Sequence, residues 1–114
     1  MTTRRLHGLR AWLLQRISAV YLAAYVLFLA YHFTVHAPAS YAAWYAWVGS
    51  SWVSISGALF FAALMIHAWV GVRDVIMDYV HVTGLRLALL AALGLLLLGY
   101  GLWAMQVLLA ARLT

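Results

Sequence analysis

The sequence predicts an all-α membrane protein of three transmembrane helices, and three observations carry that expectation. Hydrophobic residues fill 68% of the 114 positions and charged ones only 8%, with a mean hydropathy of +1.00, outside the range of a soluble globular domain of this length. Three apolar stretches, at roughly 17–36, 52–72 and 85–111, each reach the ~20 residues that a helix needs to cross the hydrocarbon. The single proline, Pro38, stands just beyond the first stretch, where a helix has to stop. No repeat, linker or charge block divides the chain, so 1–114 reads as one transmembrane domain.

The first span opens on arginines: Arg4, Arg5, Arg10 and Arg16 crowd its start. With a net charge of +5 this might be taken for a nucleic-acid surface, but basic residues that run directly into an apolar segment are an orientation signal. The run ends in "APA" at 37–39, which resembles a cleavable secretory signal. Its apolar part exceeds the ~7–15 residues of a signal core, so it reads as a retained span.

The stretch "HAPASYAAWYAWVGSS" that follows has no charge and is rich in aromatic and small residues. It fits an interfacial loop or short surface helix, with Tyr41, Trp44, Tyr45 and Trp47 in the aromatic belt. The second loop carries Arg73 and Arg86, the first none, and the C-terminal tail only Arg112. The positive-inside rule then places the N-terminus in the cytoplasm and the C-terminus outside. The third span is nearly featureless but for Gly94, Gly99 and Gly101, residues that let a neighbouring helix approach. The chain has no cysteine, which excludes disulfides and thiolate metal sites.

The second span holds the candidate chemistry, in "HAWVGVRDVIMDY" at 67–79. A histidine inside a membrane span is a functional hypothesis, weighed against a hydrogen-bonded structural role. At ~100° per residue, Gly71 lies about 40° from His67, and Asp74 and Asp78 about 20° to either side, so one stripe carries all four if the helix continues that far. Gly71 leaves room for a flat group such as a porphyrin or, equally, for close helix packing. Imidazole is a standard axial ligand of haem iron, whereas zinc asks for three or four clustered ligands that this chain does not supply.

His32 lies near the outer end of the first span, and at ~1.5 Å of rise per residue it differs from His67 in depth by roughly 16 Å. The two cannot share one iron. His36 is further out, and His7 and His81 fall in the cytoplasmic tail and loop, so any second histidine ligand comes from another chain. Arg16 is placed to reach haem propionates, beside its simpler reading as part of the orientation signal. Asp78 and Tyr79 fall where the second span meets the cytoplasmic interface. They read as a solvated acid and a belt tyrosine, or as a phenol donor and a proton-passing carboxylate for a quinone.

"HAWVGVRDVIMDYV", the arginine of "LLQRISAVYL", the three spans and the length resemble the small hydrophobic membrane-anchor subunit of bacterial succinate dehydrogenase, over essentially the whole chain. The resemblance implies a respiratory complex II in which this chain and a second cytochrome b anchor subunit hold one b-type haem between them. It implies His67 as the haem iron axial ligand, Arg16 near the propionates, and Tyr79 with Asp78 at the ubiquinone site. It also implies an iron-sulfur subunit and a flavoprotein subunit docked on the cytoplasmic face. His81 stands where the pattern leads one to expect lysine, and the tail before Arg10 has no clear counterpart. A small three-span pore-forming or assembly protein without cofactor, and a fumarate reductase anchor, are the alternatives.

Overall fold

The computed structural model describes residues 2–113, with side chains from Gly8 onward, so the side chains of Arg4, Arg5 and His7 lie outside the described residues. It is all helical: α1 (Thr2–Val35), α2 (Tyr41–Gly49), α3 (Ser51–Tyr79) and α4 (Thr83–Leu113). The stretches Gly8–Val35, Ser51–Tyr79 and Thr83–Leu113 are each long and apolar enough to cross a membrane. The molecule measures 53 × 26 × 22 Å, so its long axis exceeds the ~30 Å hydrocarbon core and its helix ends reach the polar interface.

α3 runs past the apolar stretch read from the sequence, through Arg73, Asp74 and Asp78 to Tyr79. Charge ends an apolar run, but it does not interrupt backbone hydrogen bonding. The stripe of His67, Gly71, Asp74 and Asp78 is therefore continuous. α3 ends on its own cap residue, the Val80 N–H donating to the Ile76 carbonyl at 2.9 Å. Arg86 then reaches back, with Nε donating to the Val80 carbonyl at 2.9 Å and Nη2 to the Met77 carbonyl at 3.2 Å. The guanidinium satisfies carbonyls that a helix C-terminus leaves without partners.

At the other end of the bundle, α1 stops before Pro38, and Ser40 caps α2 by accepting from the Ala43 N–H at 3.1 Å. The segment with the aromatic belt is thus a short helix. Ser50 turns the chain from α2 into α3, its N–H and hydroxyl both donating to the Trp47 carbonyl at 3.2 and 2.6 Å. His32 stacks on Trp47, ring centroids 4.4 Å apart and planes within 15°.

α3 is the central element. α1 packs on one side of it and α4 on the other, α2 lies across α4 and α3, and among the described residues α1 and α4 do not meet. The interior is thin: Val48, Leu108 and Ala111 form a small cluster under Trp44, Tyr45 and Trp47, and among the described residues no large side chain is fully buried. Val20, Leu27, Leu95 and Leu102 are each at least 70% exposed, the distribution of a chain whose solvent is lipid.

Small residues set the helix spacing. A Cβ on Gly49 would run into the Ala111 carbonyl, and Gly57 has Leu108 Cδ2 and the Tyr25 hydroxyl each at 3.6 Å. A Cβ on Gly94 would lie 3.8 Å from Trp69 and one on Gly101 3.6 Å from Met65, whereas one on Gly99 would meet open space. Two of the three glycines of the last span thus sit against a neighbouring helix. Arg112 Nη1 donates to Ser54 Oγ at 2.9 Å, tying the end of α4 to the start of α3.

A Gly49→Ala substitution is expected to force α2 from α4 and cost about 1–3 kcal/mol, the usual range for overpacking. Gly84→Ala, with no atom within 4 Å, should stay within about 0.5 kcal/mol. Thermal unfolding in detergent, followed by helical circular dichroism, compares the two.

Candidate functional site

Because α1 and α4 flank α3 without touching, a cleft opens along the α3 surface. Its volume is about 1540 Å³, and its walls come from Gly8–Ala19 of α1, Ala58–Asp74 of α3 and Gly94–Met105 of α4. The lining is mostly apolar, with Arg10, Gln15, Arg16, His67, Arg73 and Asp74 as its polar members.

His67 owes its position to the α1–α3 seam. The helices run antiparallel, and the seam is made of paired polar groups: Gln15 against Gly71, Ser18 against His67, then Tyr21 and Tyr25 against Ser56. The Tyr21 hydroxyl donates to the Ser56 carbonyl at 2.8 Å, and Tyr25 OH lies 3.1 Å from Ser56 Oγ. Tyr25 also stacks on Phe60 at 4.9 Å. At the first crossing, a Cβ on Gly71 would lie 3.2 Å from Gln15 Nε2, so the glycine leaves room for the Gln15 amide against α3. One turn along, Ser18 Oγ sits 3.2 Å from His67 Nδ1.

With Nδ1 occupied, Nε2 is the imidazole nitrogen that remains free, and the ring is half-buried in the wall of the cleft. Among the described residues no three His, Cys, Asp or Glu side chains converge. A haem asks only for one such nitrogen from each side, so the donor set here suits an axial ligand. Two further features fit a group held in this cleft. Arg16, with its guanidinium 5.6 Å from the Trp12 ring, and Arg10 are cationic donors on the lining. The Gln15 side-chain carbonyl is buried with no hydrogen-bond partner among the described residues, an acceptor of the kind folded proteins rarely leave unsatisfied.

The residues singled out from the sequence divide between two places. His67 and Arg16 line the cleft. Gly71 is beside it, against Gln15, and is not part of the lining. Asp78 and Tyr79 are exposed at the end of α3, Tyr79 at 79%, roughly 16 Å along the helix from His67 at ~1.5 Å per residue. Asp74 pairs with its neighbour Arg73 at 3.2 Å, an exposed pair of little energetic weight. His32 is held on Trp47 and, being fourteen residues up α1 from Ser18, lies about 21 Å from the level of His67.

Sequence reasoning overlooked Gln15 and Ser18. Their signal was present: two polar residues three apart, hence on one helix face, in the otherwise apolar "LLQRISAVYL".

Fold and site together define a multi-pass membrane protein whose interhelical cleft presents one imidazole and a cationic rim. The family model of the succinate dehydrogenase/fumarate reductase transmembrane subunit matches residues 2–108. The succinate dehydrogenase hydrophobic membrane anchor subunit of Coxiella burnetii (strain RSA 493 / Nine Mile phase I) is 37% identical over 111 residues, covering 97% of this chain and 95% of that protein. The chain belongs to the succinate dehydrogenase/fumarate reductase transmembrane subunit family.

Gly71→Leu is expected to push α1 off α3 and cost about 1–3 kcal/mol. Gly71→Ala should cost less than 1 kcal/mol, because only the end of the Gln15 side chain has to shift while the helix gains up to about 1 kcal/mol of propensity. Detergent melts of the purified protein measure the difference.

Proposed function

We propose that this chain is a membrane-anchor subunit of a succinate:ubiquinone oxidoreductase. It supplies one axial histidine to a b-type haem, helps form the ubiquinone-reduction site, and fixes iron-sulfur and flavoprotein subunits to the cytoplasmic face of a bacterial inner membrane. One observation carries the haem assignment: the half-buried imidazole of His67, its Nδ1 engaged by Ser18, lines a cleft with an arginine rim. The cleft is open along its length, so a second anchor subunit would close it and bring the other axial ligand. Held there by His67 and the arginine rim, a b-type haem would supply one-electron redox chemistry.

The residues of this chain divide the work by place. His67 offers Nε2 as the ligand, Arg16 and Arg10 offer charge-assisted donors for the propionates, and Gly71 leaves room for the Gln15 amide one turn from the ring. At the end of α3, Tyr79 can donate its hydroxyl proton to a quinone carbonyl, and Asp78 beside it can orient that group or pass protons from the aqueous side. Exposure of both side chains supports a surface completed by the iron-sulfur subunit.

The arginines support the orientation. Arg10, Arg16, Arg73 and Arg86 belong to the end of the bundle that carries Asp78 and Tyr79, and Arg112 to the opposite end, at Ser54. The crowded end is the cytoplasmic one by the positive-inside rule, leaving the C-terminus in the periplasm. Family membership favours this reading over a cofactor-free pore, and the Asp78–Tyr79 pair favours ubiquinone over the quinone of a fumarate reductase.

His67→Ala in the assembled complex should abolish or strongly perturb the low-spin b-haem absorption; an unchanged band removes His67 from the ligand set. Tyr79→Phe should raise the apparent KM for ubiquinone several-fold, the scale of one neutral hydrogen bond of about 1 kcal/mol. Succinate oxidation with a soluble acceptor should be untouched. Equal loss of both activities would instead report failed assembly.

A further inference from the structure

We propose that Ser18 is a positioning residue for the haem ligand, setting the tautomer, ring orientation and donor strength of His67 through a relay that ends on the Gln15 backbone carbonyl. The inference rests on the reading of His67 as an axial ligand and concerns a different residue on a different helix. Two contacts carry it: Ser18 Oγ lies 3.1 Å from the Gln15 carbonyl oxygen and 3.2 Å from His67 Nδ1.

A hydroxyl has one proton, and a carbonyl can only accept. Both contacts are hydrogen bonds in one arrangement alone: Ser18 donates to Gln15, and His67 Nδ1–H donates to Ser18. Nε2 is then bare, the protonation state a metal ligand needs. The same bond fixes rotation of the ring about its Cβ–Cγ axis. Ser18 is 6% exposed, and in a membrane interior no water replaces a lost acceptor, so the cost of an unpaired Nδ1–H falls on the ring itself.

Electronic consequences follow from the same relay. An oxygen whose own proton is drawn toward a carbonyl is a better acceptor, since hydrogen bonds in series polarise one another. It pulls on Nδ1–H and raises the basicity of Nε2, which favours the ferric over the ferrous iron. Outer-shell partners of this kind typically change ligand affinity 10- to 100-fold when removed. Threonine would preserve the relay, because its hydroxyl makes the same bond to a carbonyl in the preceding turn.

The test uses the whole complex, purified with Ser18→Ala, Ser18→Thr and His67→Ala, and reads haem content, haem midpoint potential and the low-temperature EPR spectrum of the ferric haem. Ser18→Ala should weaken haem retention about 10- to 100-fold, raise the midpoint potential and shift the low-spin g values, with Ser18→Thr restoring all three toward the parent. Should Ser18→Ala fail to assemble, Ser18→Cys, of similar size but a weak acceptor, is expected to shift potential and g values in the same directions. Parent-like potential and g values in the alanine or cysteine variant, with haem still lost in His67→Ala, overturn the role of Ser18 and leave the ligand assignment standing. Haem retained in His67→Ala overturns both.

Discussion

The seam between α1 and α3 is the contact on which the rest of this molecule depends. Among the described residues α1 packs on no other long helix, so its distance and register relative to the bundle are set there and, at its far end, by the stacking of His32 on Trp47 of α2. Gly71 leaves room for the Gln15 amide, and Ser18, Tyr21 and Tyr25 fix the register through hydrogen bonds to α3. Each such bond within a membrane is worth only about 0.6–2 kcal/mol, but their alternatives are unpaired polar groups in hydrocarbon. The seam also presents His67 with one nitrogen held and one free.

The thin core follows from the solvent. In water, a chain with this many exposed leucines and valines would collapse or aggregate; in lipid those side chains gain nothing by meeting one another, and association falls to small residues and polar pairs. That is the pattern found, with Gly49 on Ala111, Gly57 on Leu108, Gly101 on Met65 and a polar seam under α1. Space left between α1 and α4 is therefore no packing failure. It is a cleft that Gln15, with its unsatisfied side-chain carbonyl, helps to line.

Much of the fold was legible because apolar length is a coarse and robust signal: three runs near twenty residues gave three long helices. Their ends were less legible. α3 outlasts its apolar run because its last turns sit in the interface, where Arg73 and Asp78 are tolerated and Arg86 supplies the cap. Of the candidate site, His67 stood out as an ionisable group in an apolar segment, and Arg16 as a charge at its edge. Ser18 did not, because a serine is unremarkable until its neighbour across the seam is known, and pairing between helices is not written in either helix alone. For Gly71, spacing allowed a cradle or a packing contact, and that Gln15 lies against it became visible only with the partner helix in place.

The fastenings of α3 to α4 have a mechanical consequence. Arg86 binds carbonyls at one end of that pair, and Arg112 on Ser54 secures the other. Two helices pinned top and bottom behave as a single stiff plate, while α1 hangs from it along one edge. Widening of the cleft is then a swing of α1 about that edge, and the Asp78–Tyr79 end of α3, belonging to the plate, keeps its place while the cleft opens.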